Sequence, residues 1–262
     1  MVPAVAPRVE VGVDLATVAG RLARRVETLA LESLERRGRF GLALSGGSTP
    51  EALFRSLAGD RSSGVDWTAV DFFWADERAV PPSDPRSNYG LAARTWLEPR
   101  AIPPIRVHRI SGESDSLEAA SGAYERDLQN YLGSGPESGG PALLDLAILG
   151  IGPDGHTASL FPDSPLLESS AWTGVERSPP LDPRVPRISL TPAALNRSRI
   201  VAFLAAGDEK RWAVARVLHP DAFGVRPPAA RVRGLESTEW FVDRAAGGSP
   251  AGGTGAGRPS DG

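Results

Sequence analysis

The sequence predicts an α/β protein with a mostly parallel, doubly wound sheet that has helices on both faces. Short apolar segments of strand length alternate with amphipathic segments of helix length, and this alternation is typical of parallel sheets. The clearest buried strand, 144–149, runs directly into a glycine-rich turn. With 262 residues, of which 41% are hydrophobic and 23% charged, the chain is long enough for one large domain of this kind.

The first half of the chain begins with a helix. Apolar residues recur at steps of three and four from Asp14 to Arg37, and Asp14 is a suitable N-cap for that helix. A short apolar strand at 40–44 follows it. The remaining elements predicted in this half are helices at 51–57, 86–96 and 117–132 and strands at 70–74 and 105–110.

The second half is richer in strands and ends in a segment of biased composition. Strands are predicted at 144–149, 187–190, 200–204 and 239–242, the last at a sheet edge, and a helix at 209–218. From residue 245 onward the chain has almost no apolar bulk, and such a composition is typical of disorder. We therefore expect a single α/β catalytic domain over 1–244 and a disordered Gly/Ala/Pro-rich tail over 245–262.

Composition argues against several classes of function. The net charge of −3 gives no basic face for nucleic acid, and no run of about 18 apolar residues suggests a membrane span. The N-terminus lacks an apolar core of signal-peptide length, which predicts a cytoplasmic location. Cysteine is absent and only three histidines occur (His108, His156 and His219), so we expect neither a metal nor another cofactor. A monomer and a small homo-oligomer are both open.

Polar clusters follow four of the predicted strands, at 45–49, 76–78, 150–156 and 207–210. In a parallel sheet the ligand binds beyond the carboxyl ends of the strands. We therefore expect these four clusters to meet at one edge of the sheet and to form one site.

The first cluster, Ser45-Gly46-Gly47-Ser48-Thr49, joins a strand to the start of a helix. Glycines let a ligand approach the backbone, hydroxyls add donors, and unpaired helix amides attract an anion. The spacing matches neither a Walker loop nor a dinucleotide fingerprint, so a single phosphoryl group is the better fit. An ordinary glycine-rich turn is the alternative.

Another cluster places Asp154 and His156 two residues apart on a sharp turn. Because imidazole titrates near neutral pH, His156 is a candidate general base, and Asp154 is a candidate for orienting its ring. The alternative is an Asp-Gly turn followed by a surface histidine, which is our interpretation of His219.

Two further sets of charges complete the predicted site. Asp76 and Arg78 directly follow an apolar strand, although a solvated run of charges is the alternative. Lys210 is the sole lysine among the 29 Lys and Arg residues. Its presence is either due to chance or required because a compact ammonium group must bind a phosphate there. In the second case, Arg187 is a candidate for a second phosphate-binding cation.

Together, in this order, the four clusters resemble those of the 6-phosphogluconolactonases, which share their fold and phosphate site with glucosamine-6-phosphate isomerases and deaminases. The match runs from about residue 15 to 242. The segments that carry it are LALSGGSTP (42–50), FFWADERAVPPSDPRSNYGLA (72–92), LDLAILGIGPDGHTASLFP (144–162), RISLTPAALNRSR (187–199) and AAGDEKRWAV (205–214). The resemblance implies a sugar-phosphate isomerase-like fold.

The resemblance also implies an activity: metal-free hydrolysis of 6-phospho-D-glucono-1,5-lactone to 6-phosphogluconate, the second step of the oxidative pentose phosphate pathway. The expected partner is therefore a small phosphorylated sugar lactone. The family's catalytic histidine matches His156, and its acid and arginine match Asp76 and Arg78. Its phosphate-binding residues match Gly46, Gly47, Ser48, Thr49, Arg187 and Lys210.

Two alternatives carry different sequence signatures. The isomerase and deaminase relatives have an extra glutamate shortly after the histidine, where this chain has Phe161, and a phenylalanine cannot transfer a proton. A non-catalytic sugar-phosphate sensor usually carries an appended DNA-binding helix pair, and no basic N-terminal helix-turn-helix is found here. Asp163 and Arg211 replace a glycine and an alanine that are frequent in the family, which concerns local packing only.

Overall fold

The computed structural model describes residues 6–59, 62–133, 142–224 and 226–248. These residues contain nine strands, which we number along the chain. They are β1 (Arg8–Gly12), β2 (Phe40–Leu44), β3 (Val70–Trp74), β4 (Asp76–Arg78), β5 (Leu144–Leu149), β6 (Thr173–Glu176), β7 (Arg187–Leu190), β8 (Ser198–Ala205) and β9 (Ser237–Asp243).

Six of the strands form one parallel sheet in the order β1-β9-β8-β5-β2-β3. The other three form a small antiparallel sheet in the order β4-β7-β6. Every residue of β2 and β3 is buried, as expected of parallel strands that are covered on both faces. The predicted fold class, a mostly parallel α/β sheet, is confirmed.

The helices begin close to the predicted positions. The side chain of Asp14 accepts a hydrogen bond from the amide of Thr17 at 2.8 Å, and Gly38 ends the first helix in a left-handed conformation with φ of 70°. None of the helices within the described ranges is long and apolar enough to cross a bilayer. The α-helices are α1 (Leu15–Arg37), α2 (Ser48–Gly59), α3 (Asn88–Ala92), α4 (Leu117–Gly133), α5 (Pro192–Leu195), α6 (Arg211–Leu218), α7 (Pro220–Phe223) and α8 (Arg244–Gly247).

Strand β3 shows how both faces of the sheet are covered. The ring of Phe72 packs edge-on against Trp96, which lies in a π-helical turn after α3 and stacks on Phe54 of α2. Its neighbour Phe73 packs against Tyr131 of α4. Because adjacent strand residues point to opposite faces, the two contacts place helices on both sides of the sheet.

Strand β7 forms at the predicted residues, 187–190, and pairs antiparallel with β4 and β6 in the small sheet. One prediction about strand placement is wrong. Strand β9 lies between β8 and β1 and is therefore not at the edge. The strand at that edge is β1, which was not predicted; it is only five residues long, and its Val9 and Val11 remain exposed.

Two predicted boundaries also change. The segment 105–110 forms only one bridge, from Val107 to Phe72, since a 3₁₀ turn at Pro104–Arg106 occupies its start. The predicted tail begins too early, because residues 245–247 lie in α8 and Ala246 is buried. Asp243 caps this helix by accepting a hydrogen bond from the amide of Ala246 at 2.8 Å. Residues 249–262 lie outside the described residues.

Candidate active site

The predicted polar clusters meet at one cavity of about 320 Å³ beyond the carboxyl ends of β2, β3 and β5. Asp154 does not line the cavity and stands beside His156. Leu181 and Asp182 also line it, from a loop in which no sequence pattern indicated a function. The predicted residues that line the cavity are Gly46, Gly47, Ser48, Thr49, Asp76, Arg78, His156, Arg187 and Lys210.

His156 and Asp154 form the pair that their spacing suggested. The Nδ1 atom of His156 lies 2.6 Å from Oδ1 of Asp154, and the same oxygen accepts a hydrogen bond from the His156 amide at 3.1 Å. Burial favours the neutral acid form of Asp154, but the hydrogen bonds and charge of His156 outweigh burial and lower the pKa of this carboxyl group. With Nδ1 engaged, Nε2 has no hydrogen-bond partner among the described residues.

The turn that carries His156 depends on its glycines. Gly155 has φ of 85°, a conformation that other residues rarely adopt. A Cβ atom on Gly152 would lie 2.1 Å from the ring of His156, so the ring lies directly against this glycine. The carbonyl of His156 closes the turn by accepting a hydrogen bond from the Gly152 amide at 2.9 Å. The imidazole is therefore held by the backbone as well as by Asp154.

The glycine-serine-threonine loop lines the same cavity, and α2 begins there at Ser48. Nζ of Lys210 donates a hydrogen bond to Oγ1 of Thr49 at 3.3 Å. Burial lowers the pKa of Lys210, while the carboxylates of Glu209 and Asp243 oppose that shift. A helix N-terminus with a partly buried ammonium beside it is suited to bind a phosphate group.

Two arginines add positive charge through the small antiparallel sheet. Arg78 of β4 and Arg187 of β7 are directly paired in register. Each guanidinium donates one hydrogen bond to a carbonyl oxygen, Arg78 to Arg86 and Arg187 to Pro183. Neither Nε atom has a hydrogen-bond partner among the described residues. Burial lowers the pKa of Arg187, the charge of Arg78 lowers it further, and Asp76 opposes both.

Asp76 is a buried member of the site and not part of a solvated run. Its Oδ2 accepts a hydrogen bond from Ser159 Oγ at 2.7 Å, and its Oδ1 accepts one from Asn88 Nδ2 at 3.1 Å. Ser159 and Asn88 were not predicted as site residues, because their role depends on contacts between segments far apart in the chain and leaves no local sequence signal. A Cβ atom on Gly46 would lie 1.7 Å from Asn88, so Asn88 also packs against the backbone of the glycine-serine-threonine loop.

Glu77, the acid between Asp76 and Arg78, has a structural role. Its carboxylate accepts hydrogen bonds from the amides of Asn88 and Tyr89, each at 2.7 Å, and so caps α3. Burial raises the pKa of Glu77, while these hydrogen bonds oppose that shift. The charged triplet therefore has two members that line the cavity and one that orders the helix behind it.

The cavity is thus lined by three cations (Arg78, Arg187 and Lys210) and two carboxylates, the buried Asp76 and the exposed Asp182, and this excess of positive charge favours an anionic ligand. The same cavity is lined by the imidazole of His156, whose Nε2 has no hydrogen-bond partner within the described part of the chain. Over the described ranges, no group of three or more His, Cys, Asp or Glu side chains is arranged to hold a metal ion.

Comparison with known proteins decides the family. The family model for glucosamine-6-phosphate isomerases/6-phosphogluconolactonase matches residues 13–240. The chain belongs to the glucosamine-6-phosphate isomerase/6-phosphogluconolactonase family. A 6-phosphogluconolactonase of Streptomyces coelicolor is 36% identical over 248 residues, which cover 92% of this chain and 93% of that protein. One of Mycobacterium leprae is 36% identical over 244 residues, which cover 91% and 96%.

Solved structures of family members agree with this fold. The 6-phosphogluconolactonase of Thermotoga maritima superposes with a TM-score of 0.77 at 31% identity, covering 90% of this chain and 99% of that one. A monomeric glucosamine-6-phosphate deaminase superposes with a TM-score of 0.75 at 21% identity, covering 91% and 98%. Since both branches of the family share the fold, the side chains of the cavity must distinguish their activities.

Proposed function

We propose that the chain hydrolyses 6-phospho-D-glucono-1,5-lactone to 6-phospho-D-gluconate. The observation that carries the proposal is one cavity in which a histidine–carboxylate pair faces an anion-binding loop and its cations. Relatives that match over nine-tenths of the chain bear the name of this activity, which further supports the proposal.

The phosphate group of the substrate binds at the loop. Amides at the start of α2 and the hydroxyls of Ser48 and Thr49 donate hydrogen bonds to its oxygens, and Lys210, already in contact with Thr49, balances its charge. Arg187 supplies a second, buried cation. Held by its distal phosphate, the lactone ring lies across the cavity with its carbonyl carbon toward the histidine turn.

His156 then acts as a general base. Its free Nε2 removes a proton from a water molecule as the water oxygen attacks C1 of the lactone, and Asp154 stabilises the imidazolium that forms. The carbonyl oxygen becomes an oxyanion, which Arg78 or backbone amides of the turn stabilise by hydrogen bonding. As the tetrahedral intermediate collapses, the bond from C1 to the ring oxygen breaks and the imidazolium returns its proton to that oxygen.

The main alternative is a ketol isomerase or deaminase acting on an amino sugar phosphate. Such a reaction moves a proton between two carbons and needs a further acid or base close to the histidine. Where those relatives have a glutamate this chain has Phe161, whose ring centroid lies 4.7 Å from that of His156, and a phenylalanine cannot accept a proton. A non-catalytic sensor is the other alternative, and the paired, cavity-facing His156 argues against it.

A pH-stat assay tests the proposal directly. Freshly generated 6-phosphogluconolactone releases one acid equivalent on hydrolysis, and we expect the wild-type chain to accelerate that release well beyond the spontaneous rate. In parallel, glucosamine 6-phosphate is supplied and ammonia is measured. Ammonia release without acceleration of lactone opening would identify a deaminase and not a lactonase. If neither reaction is accelerated, the result favours the sensor.

A further inference from the structure

Phe161 lies behind two functional side chains of the proposed active site. It is 1% exposed and does not line the cavity, so it is placed to act on neighbouring side chains and not on a substrate. Its ring centroid is 4.7 Å from that of His156, with 37° between the planes. The guanidinium carbon of Arg187 lies 5.3 Å from the same ring centroid. One aromatic ring thus contacts both the base and a cation of the site.

His156 needs such a support. Its hydrogen bond to Asp154 fixes the position of Nδ1, but a single hydrogen bond does not fix the tilt of the ring about it. Gly152 and Phe161 both pack closely against the imidazole. Aromatic rings are rigid, and a buried one is held by dense packing, so Phe161 can restrain the direction of Nε2.

Arg187 needs a support for a different reason. It is buried, its Nη2 donates one hydrogen bond to the carbonyl of Pro183 at 3.2 Å, and its Nε has no partner among the described residues. The face of an aromatic ring attracts a cation placed within about 6 Å of its centroid. Phe161 therefore helps to hold a buried guanidinium in place before an anionic ligand arrives.

We propose that Phe161 is a positioning residue: its rigid ring packs against both the base His156 and the anion-binding Arg187 and holds the two side chains in place. This inference rests on the proposed lactonase function. It assigns two separable effects to one side chain: an effect on the chemical step through His156 and an effect on ligand binding through Arg187.

The test compares Phe161→Leu with Phe73→Leu. Phe73 is a matched control, because it is buried and its ring stacks on the other internal histidine, His108, at 4.3 Å. Both substitutions keep an apolar side chain of similar volume and remove the ring. The measurements are kcat on 6-phosphogluconolactone, Kd for 6-phosphogluconate by calorimetry, and the melting temperature.

For Phe161→Leu we expect kcat to fall about 10-fold to 10²-fold, since a misplacement of about 1 Å in an active site can cost up to about 10²-fold. The Kd for 6-phosphogluconate should rise roughly 2-fold to 10-fold through loss of the cation–π contact. Phe73→Leu should lower the melting temperature to a comparable extent and leave kcat and Kd unchanged.

A double-mutant cycle separates positioning from general loosening. In a His156→Ala background, Phe161→Leu should cause no further loss of kcat, because the group that it positions is absent. A full, additive loss in that background would overturn the proposal, as would wild-type kcat and Kd in a folded Phe161→Leu protein. If the leucine variant does not fold, Phe161→Met takes its place in the same cycle. Failure of the wild type to hydrolyse the lactone would overturn the proposed function itself, a result distinct from these.

Discussion

The chain contains two internal histidines that are each paired with carboxylates, and they differ in one decisive respect. His156 contacts one carboxylate, Asp154, and keeps Nε2 for the cavity. His108 lies between Asp127, 2.9 Å from its Nδ1, and Asp71, 3.3 Å from its Nε2, so both ring nitrogens are engaged. An imidazole can act as a base only through a free nitrogen, which His108 does not have.

The surroundings reinforce that difference. Burial alone would lower the pKa of His108, but the hydrogen bond to Asp71 and the charge of Asp127 outweigh it and raise the pKa. A raised pKa favours the imidazolium, which serves as a structural ion-pair partner. Two carboxylates around the half-buried His108 therefore favour a stabilising cation, whereas the single carboxylate beside His156 leaves Nε2 open to the cavity.

The largest effect expected from this comparison is that of His156→Ala. Because a positioned general base is worth about 10²-fold to 10⁴-fold in rate, kcat should fall by that amount while the fold remains intact. The matched control is His108→Gln, which should leave kcat almost unchanged. Initial rates in the pH-stat assay check both, and equal losses in the two variants would contradict the distinction.

Asp154→Asn is expected to have the next largest effect. An amide cannot stabilise the imidazolium by charge, and its NH₂ group can favour the wrong tautomer of His156, so kcat should drop about 10-fold or more. The KM should change little, since Asp154 does not line the cavity. A variant with a raised KM and wild-type kcat would show instead that Asp154 serves substrate binding.

Lys210→Ala should act on binding. Loss of one charge-assisted contact to phosphate costs about 1.5–3 kcal/mol, so the KM for the phosphorylated lactone should rise roughly 10-fold to 10²-fold. Hydrolysis of unphosphorylated gluconolactone should be affected far less, because it lacks the anion that Lys210 binds. Parallel loss on both lactones would place Lys210 outside the phosphate site.

The smallest effect concerns the stability that His108 provides. Since the folded-state pKa of His108 is raised, its stabilising effect is fully present below the ordinary histidine pKa of about 6.5 and is lost as pH rises through the folded-state value. His108→Gln should therefore destabilise the protein by about 1 kcal/mol, the scale of a hydrogen bond, in mildly acidic buffer and by less at pH 9. Urea unfolding at several pH values measures this, and a difference that widens with pH would contradict it.

The convergence of the site could be predicted from sequence because it follows from a general property of parallel sheets. Loops after β2, β3 and β5 must reach the same edge, so the sequence alone predicts that Ser48, Asp76 and His156 lie close together, as they do in the cavity. The Asp14 N-cap could also be predicted from sequence, because capping depends on residues that are close together in the chain.

Other features depend on long-range pairing that no local pattern encodes. Strands β4 and β7 are short, contain arginine and pair antiparallel, so the direct opposition of Arg78 and Arg187 was not predictable. The hydrogen bonds that Asn88 of α3 and Ser159 donate to Asp76 of β4 join three segments that are far apart in the chain, and they leave no periodic signal.

The most direct measurement compares binding and turnover in His156→Ala and Lys210→Ala. For each variant, the Kd for 6-phosphogluconate is determined by calorimetry and the rate of lactone opening is followed with enzyme in excess over substrate. We expect His156→Ala to bind the product like the wild type and open the lactone at least about 10²-fold more slowly. Lys210→Ala should bind the product weakly and, once saturated, react at a near wild-type rate. A His156→Ala protein that opens the lactone at the wild-type rate would contradict the assignment of His156 as the base beside the phosphate site.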